Sequence, residues 1–538
     1  MKGYEAIARA LVDCGVEAAF GVIGDGNMHY VAEYVGLDRG RYYGAVGESG
    51  AVSMADGYAR MSGRAGIATT THGPGATNTI TALTEAARAH SPVVLLTGEA
   101  VATRGWPQRI ELGTLFAGTG ADYYRCLAAE QIVDDVAIAT TRAVATGTPA
   151  VLDISYDLVH SEVTWAPPRF RDHPPTPSSP SADALDEAVG LLASAQRPVV
   201  VAGRGAVLSH ARDDLVALAD RLGAPLATTV NAKDYFRDHP FNLGIIGSVA
   251  TEYASDIVSS ADCLVFFGAS MSRYTTLDGD FTRGRSVIQV NPDPAAVGRW
   301  EPVDVALKSD AAATARLMLE MLDELGGEPR GFRVSRMGEG SLGRRPGEDF
   351  RDRSSHAGLD PRAVMVRLDE MLPADRAVVS DIGRFVVAPW RYLRVQEPGD
   401  FSQMGAFASI GLGAFAAIGA AAARPDRLTV GVAGDGGMMM SIPELHTAVK
   451  YSLPLFMVVL NDRAYGAEFK KLEALGYDPE FCYNDWPSFA GMARALGCEA
   501  ETVSTVSELE SAVARYATTD RPVLIEVLID PMIDPKVP

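Results

Sequence analysis

The stretch GVAGDGGMMMSIPELHTAVKYSLPLFMVVLNDRAYG, from Gly431 to Gly466, holds two carboxylates at places where strands are expected to end. Asp435 lies in a glycine turn straight after the apolar run RLTVGVA, and Asp462 follows a second apolar run, LPLFMVVL. Continuous apolar runs of this length are typical of strands buried on both faces of a parallel sheet. The C-terminal ends of such strands share one edge, where open α/β sheets bind ligands. The stretch therefore predicts a ligand site at that edge.

The segment between the two runs predicts a helix. Ser441 and Glu444 have the spacing of a capping box, so we expect this helix to start near Ile442. The two carboxylates would then lie on neighbouring strands, where hard oxygen ligands suit Mg²⁺ or Ca²⁺ with phosphate oxygens and water completing the shell. Two polar loops without a ligand are the simpler alternative for a glycine turn considered alone.

Length and charge limit the possible functions. A chain of 538 residues is longer than one hydrophobic core supports, which predicts about three domains. Its formal net charge of −20 and pI near 4.9 disfavour binding to nucleic acid and to anionic membranes. We therefore expect a small-molecule substrate, and neither a nucleic acid nor a membrane as partner.

Three further features favour a cytoplasmic protein. The N-terminal segment has helical spacing and lacks the apolar core of a signal peptide. The five cysteines are scattered without CxxC spacing, which predicts reduced, buried thiols rather than a disulfide frame or a zinc site. The uncharged run Gly405–Ala423 is rich in Ala and Gly, which contribute little transfer energy, so it predicts a buried helix rather than a membrane span.

Two breaks in composition divide the chain into α/β domains. Residues 166–180 contain six prolines, and residues 326–360 are rich in Gly and Arg, so both predict linkers. The remaining segments, 1–165, 183–325 and 358–538, alternate short apolar runs with helical patterns, which predicts three doubly wound domains with mainly parallel sheets. In the central domain, Gly203-Arg204-Gly205 follows a strand but lacks the third glycine of a dinucleotide fingerprint. A structural domain is favoured there over one that binds FAD or another nucleotide.

The opening stretch also carries a family resemblance. Its GDG turn, followed after 24 residues by Asn461-Asp462, resembles the thiamine diphosphate signature of the 2-oxo acid decarboxylase and acetolactate synthase family. The resemblance implies that Mg²⁺ is held against the cofactor diphosphate by Asp435, Asp462 and the carbonyl of Ala464. The family usually has Asn where Asp462 stands, so an additional negative charge lies beside the diphosphate. The cofactor contacts implied by the same stretch are Gly436, Gly437 and Tyr465.

The N-terminal segment resembles the pyrimidine-binding domain of the same family. The resemblance rests on Gly47–Asn78, GESGAVSMADGYARMSGRAGIATTTHGPGATN, and implies that Glu48 is the catalytic glutamate. Such an acid hydrogen-bonds N1′ of the aminopyrimidine and favours the imino tautomer, which removes the thiazolium C2 proton. A helix cap is the alternative role for Glu48.

Two loops of the C-terminal segment complete the resemblance to a cofactor site. In ASIGLGAFAAIGAAAARPDRLTVGVAGDG, Ile410 matches the apolar residue that wedges the cofactor rings into a bent form, and the carbonyl of Ala408 would accept from the 4′-amino group. Plain core packing is the alternative for Ile410. The loop SDIGRF matches the family's other diphosphate-contacting loop, with Gly383 and Arg384 as the implied contacts.

Four residues bear on the reaction. Glu468 and Asp25 match acidic positions of pyruvate decarboxylase-type enzymes, and His72 replaces a customary serine before the GPG turn, where it would relay protons. Gln108 stands where acetolactate synthases tend to have glutamine, in a loop that lacks the adjacent histidines of those decarboxylases. The alternatives are a solvated helix face for Glu468, a turn for Asp25 and a buried imidazole for His72.

These features predict a lyase or transferase that decarboxylates or ligates 2-oxo acids or related acyloins and diketones. The resemblance further implies a homodimer or homotetramer, with the Glu48 domain of one subunit facing the Asp435 domain of another. A Mg²⁺-dependent phosphotransfer enzyme is one alternative, although it gives Glu48 no task. A non-catalytic, cofactor-binding regulatory homologue is the other, although such a chain would not need to retain Glu48.

Overall fold

A computed structural model describes residues 1–101, 103, 105–169, 177–329, 332–333 and 349–536. The two predicted linkers therefore lie partly outside the described residues, at 170–176 in the first and at 330–331 and 334–348 in the second. The domain limits set by those linkers stay a prediction.

The first sheet has six parallel strands in the order β2-β1-β3-β4-β6-β5. Its central strands are buried on both faces, as their apolar runs predict. The strands are β1 (Ala18–Gly21), β2 (Arg41–Gly44), β3 (Gly66–Thr69), β4 (Val93–Thr97), β5 (Asp122–Arg125) and β6 (Ala150–Asp153). The α-helices are α1 (Gly3–Asp13), α2 (Met28–Gly36), α3 (Glu48–Ser62), α4 (Pro74–Thr77), α5 (Ile80–Arg88), α6 (Leu112–Phe116), α7 (Ile132–Thr146) and α8 (Tyr156–Val159).

The second sheet has six parallel strands in the order β12-β11-β10-β7-β8-β9. The strands are β7 (Pro198–Ala202), β8 (Leu226–Thr228), β9 (Asn242–Ile245), β10 (Cys263–Phe267), β11 (Ser286–Val290) and β12 (Val305–Leu307). The α-helices are α9 (Ala182–Ser194), α10 (Arg204–Leu208), α11 (Arg212–Leu222), α12 (Glu252–Ser260), α13 (Arg273–Thr276) and α14 (Ala311–Leu325).

The third sheet has the order β14-β13-β15-β16-β18-β17, and β15 and β16 at its centre are the two apolar runs of the opening stretch. The strands are β13 (Arg376–Ser380), β14 (Phe401–Gln403), β15 (Leu428–Gly434), β16 (Leu455–Asn461), β17 (Glu499–Val503) and β18 (Val523–Leu528). The α-helices are α15 (Pro361–Met371), α16 (Val387–Tyr392), α17 (Leu412–Ala423), α18 (Asp435–Ser441), α19 (Leu445–Lys450), α20 (Gly466–Ala474), α21 (Phe489–Ala495) and α22 (Val506–Tyr516).

The α/β fold class with three parallel sheets is confirmed. The chain divides into two compact units. One unit comprises Met1–Pro174, Arg353–Pro389 and Ser402–Pro535, which hold the first sheet and nearly all of the third. The other comprises Pro175–Asp352, Trp390–Phe401 and Lys536–Pro538, and it holds the second sheet.

Helix α17 forms the centre of the first unit, where it packs against α3. Ten of its twelve residues are buried, so the prediction of a buried helix within Gly405–Ala423 is confirmed for Leu412–Ala423. Gly57 of α3 lies directly against the carbonyl of Ala416, and Gly419 of α17 lies against that of Met54, so neither position has space for a Cβ. None of the described helices is long and apolar enough to cross a membrane.

The helix prediction after the GDG turn was wrong about where the helix begins. The chain is helical directly from Asp435, as α18, and continues through a 3₁₀ turn at Ile442–Glu444 into α19. The Ser441 hydroxyl donates to the carbonyl of Gly437 within this helix rather than capping the next one. The Glu444 carboxylate accepts the N–H of Val46 at 2.9 Å. The capping-box prediction was wrong because the Glu444 carboxylate accepts a hydrogen bond from a residue 398 positions away in the sequence.

The glycines of the second sheet have a packing role. A Cβ at Gly203 would collide with the carbonyl of Gly268, and one at Gly205 would lie 2.7 Å from the Cα of Gly268. The turn after β7 therefore needs glycine because two backbone segments meet there. This contact explains why the Gly203-Arg204-Gly205 turn has glycine at both positions.

Candidate active site

The two carboxylates of the opening stretch lie at one edge of the third sheet. Strands β15 and β16 are parallel neighbours with Gly434 opposite Leu460, so Asp435 and Asp462 follow adjacent strand ends. Asp435 is only 3% exposed, and its Oδ2 accepts the indole N–H of Trp486 at 3.0 Å. The predicted proximity of these two aspartates is therefore present in the structure.

The electrostatics of this edge favour a cation. Burial raises the pKa of Asp435 to about 7, and the neighbouring charge of Asp462 adds to the increase. Burial also raises the pKa of Asp462, whereas the nearby guanidinium of Arg384 lowers it. Two buried carboxylates that repel each other are a costly arrangement, and a divalent cation with oxygen preference would relieve that cost.

The carbonyl of Ala464 lies on the same side of its segment as the Asp462 carboxylate. Ala464 forms an isolated antiparallel bridge with Tyr483, in which the carbonyl of Arg463 and the N–H of Tyr465 make the hydrogen bonds. The N–H and C=O of Ala464 therefore point away from that partner segment. The N–H accordingly donates to Oδ1 of Asp462 at 3.2 Å. Three oxygen donors are available here, which fits Mg²⁺.

Glu526 stabilises the loop that follows β16, a role that was not predicted from the sequence. Its Oε1 accepts the Asn461 side-chain N–H at 2.9 Å, and its Oε2 accepts the Thr502 hydroxyl at 2.7 Å. Asn461 in turn accepts the N–H of Arg463, whose φ of 55° is in the left-handed region. A lone carboxylate within the apolar strand run VLIEVL was the signal that could have revealed Glu526.

The predicted cofactor-contacting glycines lie under side chains of the site. A Cβ at Gly436 would lie 2.8 Å from the Tyr465 ring, and one at Gly437 would collide with the Asp381 carboxylate. A Cβ at Gly383 would lie 2.8 Å from the Phe385 ring. Packing alone thus requires small residues at all three positions, and their contact with a cofactor stays a prediction.

The loop between β14 and α17 carries the two residues expected to contact the cofactor rings. Ala408 is exposed and has φ of 60°, a left-handed conformation that costs a residue with a Cβ about 1 kcal/mol. Ile410 is only half-buried, so the alternative of plain core packing does not describe it. The buried Asp381, whose pKa burial raises to about 6, accepts the N–H groups of Gly411 at 2.9 Å and Gly413 at 3.3 Å.

A buried ionic cluster fixes the other side of this loop, and it too was not predicted from the sequence. Glu85 of α5 accepts the N–H of Ala406 at 3.1 Å and that of Phe407. The same carboxylate pairs at 3.2 Å with Arg60, which makes two further hydrogen bonds to Asp56 at 2.7 and 2.6 Å. Asp56 and Glu85 are fully buried, so the cluster is held by charge-assisted hydrogen bonds out of water. The strained Ala408 is therefore anchored from both sides.

Glu48 is placed by Asn78 rather than by its own helix. Glu48 is the first residue of α3, but Gly47 occupies the N-cap position and no side chain caps this helix. The side-chain N–H of Asn78 donates to Oε2 of Glu48 at 3.0 Å, and Oε1 lies 3.5 Å from the position of a Cβ at Gly75. The helix-cap alternative for Glu48 is therefore wrong.

His72, Gln108 and Asp25 are neighbours in the structure. Burial lowers the pKa of His72, while the Gln108 side chain and the Asp25 charge act in the opposite direction. His72 is 2% exposed, and within the part of the chain that the structure describes its Nε2 has no hydrogen-bond partner. Gly73, with φ of 65°, turns the chain so closely under the Gln108 carbonyl that a Cβ would collide with it. A neutral imidazole with one free nitrogen suits proton transfer or a hydrogen bond to a ligand.

Glu468 is not placed with these groups by any contact that the structure describes. It lies on α20 with its side chain 59% exposed, and its ion-pair partner is Lys471 at 3.6 Å. This geometry matches the solvated helix face that the sequence left open as an alternative.

Comparison with protein families finds three matches along the chain. Residues 1–108 match the "Thiamine pyrophosphate enzyme, N-terminal TPP binding domain". Residues 185–318 match the central domain of thiamine pyrophosphate enzymes, and residues 381–527 match their C-terminal TPP binding domain. Glu48 and His72 fall in the first match, and Asp435 and Asp462 fall in the third.

Individual proteins resemble nearly the whole chain. A sulfoacetaldehyde acetyltransferase from Rhodobacter capsulatus is 30% identical, with 98% of this chain and 94% of the relative covered. A probable acetolactate synthase large subunit from Methanocaldococcus jannaschii is 28% identical, with 99% and 92% covered. Among solved structures, the thiamine diphosphate-dependent 4-hydroxybenzoylformate decarboxylase of Rhodococcus jostii is 25% identical, with a TM-score of 0.84 and 98% and 99% covered.

Proposed function

Because the chain belongs to the thiamine pyrophosphate enzyme family, we propose that it breaks or forms the carbon–carbon bond beside a 2-oxo group with thiamine diphosphate held by Mg²⁺. The observation that carries the proposal is the pair of buried aspartates, Asp435 and Asp462, at adjacent strand ends. They lie within the match to the diphosphate-binding domain, at the sheet edge where such ligands bind.

Oxygen donors of the opening stretch form the metal site in this proposal. Asp435, Asp462 and the carbonyl of Ala464 hold Mg²⁺, an ion that prefers such donors. The repulsion between the two carboxylates supports the assignment, because a cation removes its cost. The residues assigned to the diphosphate side are Gly383, Gly436, Gly437 and Tyr465.

Residues in the N-terminal and the C-terminal family matches are assigned to the rings of the cofactor. When bound, thiamine diphosphate would supply an acidic carbon, which is a nucleophile toward carbonyl groups once its proton is lost, and a ring that can take up an electron pair. The Glu48 carboxylate, held by Asn78, would hydrogen-bond N1′ of the aminopyrimidine and favour the imino tautomer of that ring. The Ala408 carbonyl would accept a hydrogen bond from the amino group of that ring, and Ile410 would pack between the two rings of the cofactor.

The cluster of His72, Gln108 and Asp25 faces the substrate in this proposal. Because burial keeps the pKa of His72 below its usual value, its imidazole is neutral at pH 7 and can either accept or donate a hydrogen bond. Gln108 orients the ring, and Asp25 favours its protonated form during proton uptake. Glu468 is exposed in the single chain, so its proposed protonating role requires that a second subunit cover it.

The substrate class is a 2-oxo acid or a related acyloin or diketone. The acetyltransferase and acetolactate synthase among the relatives favour transfer to a second molecule, and the decarboxylase among the solved structures favours release of CO₂ and an aldehyde. The proposal includes both outcomes. The proposed assembly is a homodimer or homotetramer in which the Glu48 domain of one subunit serves the Asp435 domain of another.

Exchange of the cofactor's C2 proton tests the proposal without a known substrate. Wild-type protein with Mg²⁺ should accelerate C2–H to C2–D exchange of bound thiamine diphosphate, measured by quenched-flow NMR, and Glu48→Gln should lose at least about a hundredfold of that acceleration. Glu33→Gln, which changes an exposed glutamate on α2, is the matched control and should exchange like the wild type.

The exchange measurement and two further assays separate the alternatives. Cofactor binding without accelerated exchange in the wild type would identify a non-catalytic homologue. Mg²⁺-dependent transfer of phosphate in the absence of thiamine diphosphate would identify a phosphotransfer enzyme. A screen of 2-oxo acids and acyloins for CO₂, aldehyde and acyloin release then assigns the reaction.

A further inference from the structure

Arg384 contacts Asp462 directly in this structure. Its Nη2 donates to Oδ2 of Asp462 at 3.1 Å, and its Nη1 donates to the carbonyl of Ile533 at 3.0 Å. The two side chains are 14% and 10% exposed, so water screens the pair only weakly. The guanidinium is thus anchored through one nitrogen by the backbone and directed at the carboxylate through the other.

Gly466 leaves space for this ion pair. A Cβ at Gly466 would collide with Oδ2 of Asp462 and would lie 3.0 Å from Nε of Arg384. A larger residue at the start of α20 would therefore displace the carboxylate, the guanidinium or both. The geometry of α20 is compatible with the pair only because this position has no side chain.

The charges of the site explain why such a pair is needed. Asp435 and Asp462 already place two carboxylates at one sheet edge, and the proposed diphosphate adds further negative charge. An aspartate has two oxygens, and here Oδ1 accepts the N–H of Ala464 while Oδ2 accepts Arg384. The guanidinium thus offsets the charge of Asp462. Asp435 has a separate hydrogen bond, from the indole N–H of Trp486.

We infer that Arg384 is the charge partner of Asp462 and acts as a positioning residue. Its guanidinium allows a carboxylate, rather than a neutral side chain, to be the Mg²⁺ ligand at position 462. This inference rests on the proposed function for the assignment of Asp462 to Mg²⁺. It differs from the expectation for Arg384 drawn from the family resemblance, which was direct contact with the diphosphate. The two roles make opposite predictions for paired substitutions.

A four-variant cycle compares the wild type with Asp462→Asn, Arg384→Gln and the double variant. Asp462→Asn alone leaves a guanidinium without its carboxylate beside the metal, and Arg384→Gln alone leaves an uncompensated carboxylate beside the diphosphate. Each single change should weaken thiamine diphosphate binding about tenfold at one fixed Mg²⁺ concentration, measured by calorimetry. The double variant should bind within about threefold of the wild type, since neither charge is left unpaired.

Thermal unfolding of the cofactor-free protein in a chelator is the second measurement. Arg384→Gln should lower Tm by about 2 °C or more when Asp462 is present, and by less when it is combined with Asp462→Asn. Arg384→Lys keeps the charge but has one nitrogen where the guanidinium uses two, so it should recover part of the affinity lost in Arg384→Gln. Arg515→Gln, which removes an exposed pair with Glu501 at 2.7 Å, is the control and should change neither quantity.

Additive losses of affinity in the double variant would overturn the inference and assign Arg384 to the diphosphate. Coupling in Tm with additive affinity losses would also overturn it, because the pair would then be structural only. If the wild type and every variant fail to bind thiamine diphosphate with Mg²⁺, the proposed function fails. The Tm cycle still decides whether the two charges are coupled in that case.

Discussion

Two glycine turns of this chain look alike in sequence and differ in the groups around them. Gly434-Asp435-Gly436 follows β15 in the third sheet, and Gly203-Arg204-Gly205 follows β7 in the second. Gly434 and Gly436 pack against the rings of Phe385 and Tyr465, the next residue, Gly437, packs against the Asp381 carboxylate, and the pKa of Asp435 is raised to about 7. Around Gly203 the glycines pack against the backbone of Gly268.

The difference between the two turns shows which feature distinguishes a binding site from a structural glycine turn. In both turns glycine is required by close packing, so the glycines alone do not distinguish a binding site from a structural contact. The distinguishing feature is a buried carboxylate with a raised pKa at the end of the strand. Substitutions test this difference, and their expected effects decrease from Glu85→Ala to His72→Gln.

The largest effect is expected for Glu85→Ala, because Glu85 anchors the loop between β14 and α17, which belongs to the candidate site at the third sheet. The change leaves the N–H groups of Ala406 and Phe407 without an acceptor and removes one charge partner of Arg60. We expect a loss of about 3 kcal/mol in unfolding free energy. Hydrogen–deuterium exchange should rise in residues 404–411.

Glu130→Ala, at an exposed glutamate, is the control and should change neither quantity. Equal exchange rates in residues 404–411 for Glu85→Ala and the wild type would show that Glu85 does not hold the loop.

Alanine at Gly203, and at Gly437 directly after the Asp435 turn, compares the second and third sheets. Gly203→Ala would push a Cβ into the carbonyl of Gly268, so it should cost about 1–3 kcal/mol of stability and leave cofactor affinity unchanged. Gly437→Ala would meet the Asp381 carboxylate, a side chain that can move, so it should cost less stability and weaken cofactor binding. Denaturant midpoints and calorimetry check both, and weakened cofactor binding in Gly203→Ala would contradict the distinction between the turns.

A smaller effect of opposite sign is expected for Ala408→Gly. The φ of 60° at Ala408 is unfavourable for alanine and readily adopted by glycine. The substitution should therefore stabilise the protein by up to about 1 kcal/mol, less the entropy that glycine adds to the unfolded chain. A lower unfolding midpoint than the wild type would mean that the left-handed conformation is not strained.

The smallest effect concerns pH and His72. Burial lowers its pKa in the folded protein, so the unfolded chain binds a proton more readily and stability is lost as the pH falls through the ordinary histidine value near 6.5. His72→Gln should reduce the stability difference between pH 7.5 and pH 5.5 by less than about 1 kcal/mol. The same pH dependence in His72→Gln and the wild type would assign the titration to other groups.

Much of the fold could be predicted because buried parallel strands carry their own signal. The apolar runs that form β15 and β16 are enough to predict that Asp435 and Asp462 lie at adjacent strand ends, and the strand pairing confirms it. The three-sheet α/β class followed from the same kind of pattern. Periodicity and local spacing suffice where the determining contacts are made along one element or between neighbouring strands.

The supporting contacts of the site could not be predicted, because they join residues far apart in sequence. Glu85 accepts from Phe407 across 322 positions, and Glu526 accepts from Asn461 across 65. The Glu444 carboxylate was misread as a local helix cap for the same reason, since its partner is Val46. Local spacing contains no information about which distant N–H will reach a carboxylate.

In the proposed site, Asp435 and Asp462 hold Mg²⁺ against thiamine diphosphate. The most direct measurement is calorimetric titration of the cofactor into wild-type protein and Asp435→Ala, each with Mg²⁺ and with a chelator. We predict that the wild type loses at least about a hundredfold in affinity in the chelator, and that Asp435→Ala binds equally weakly in both conditions. Unchanged affinity in Asp435→Ala, or Mg²⁺-independent binding by the wild type, would contradict the claim.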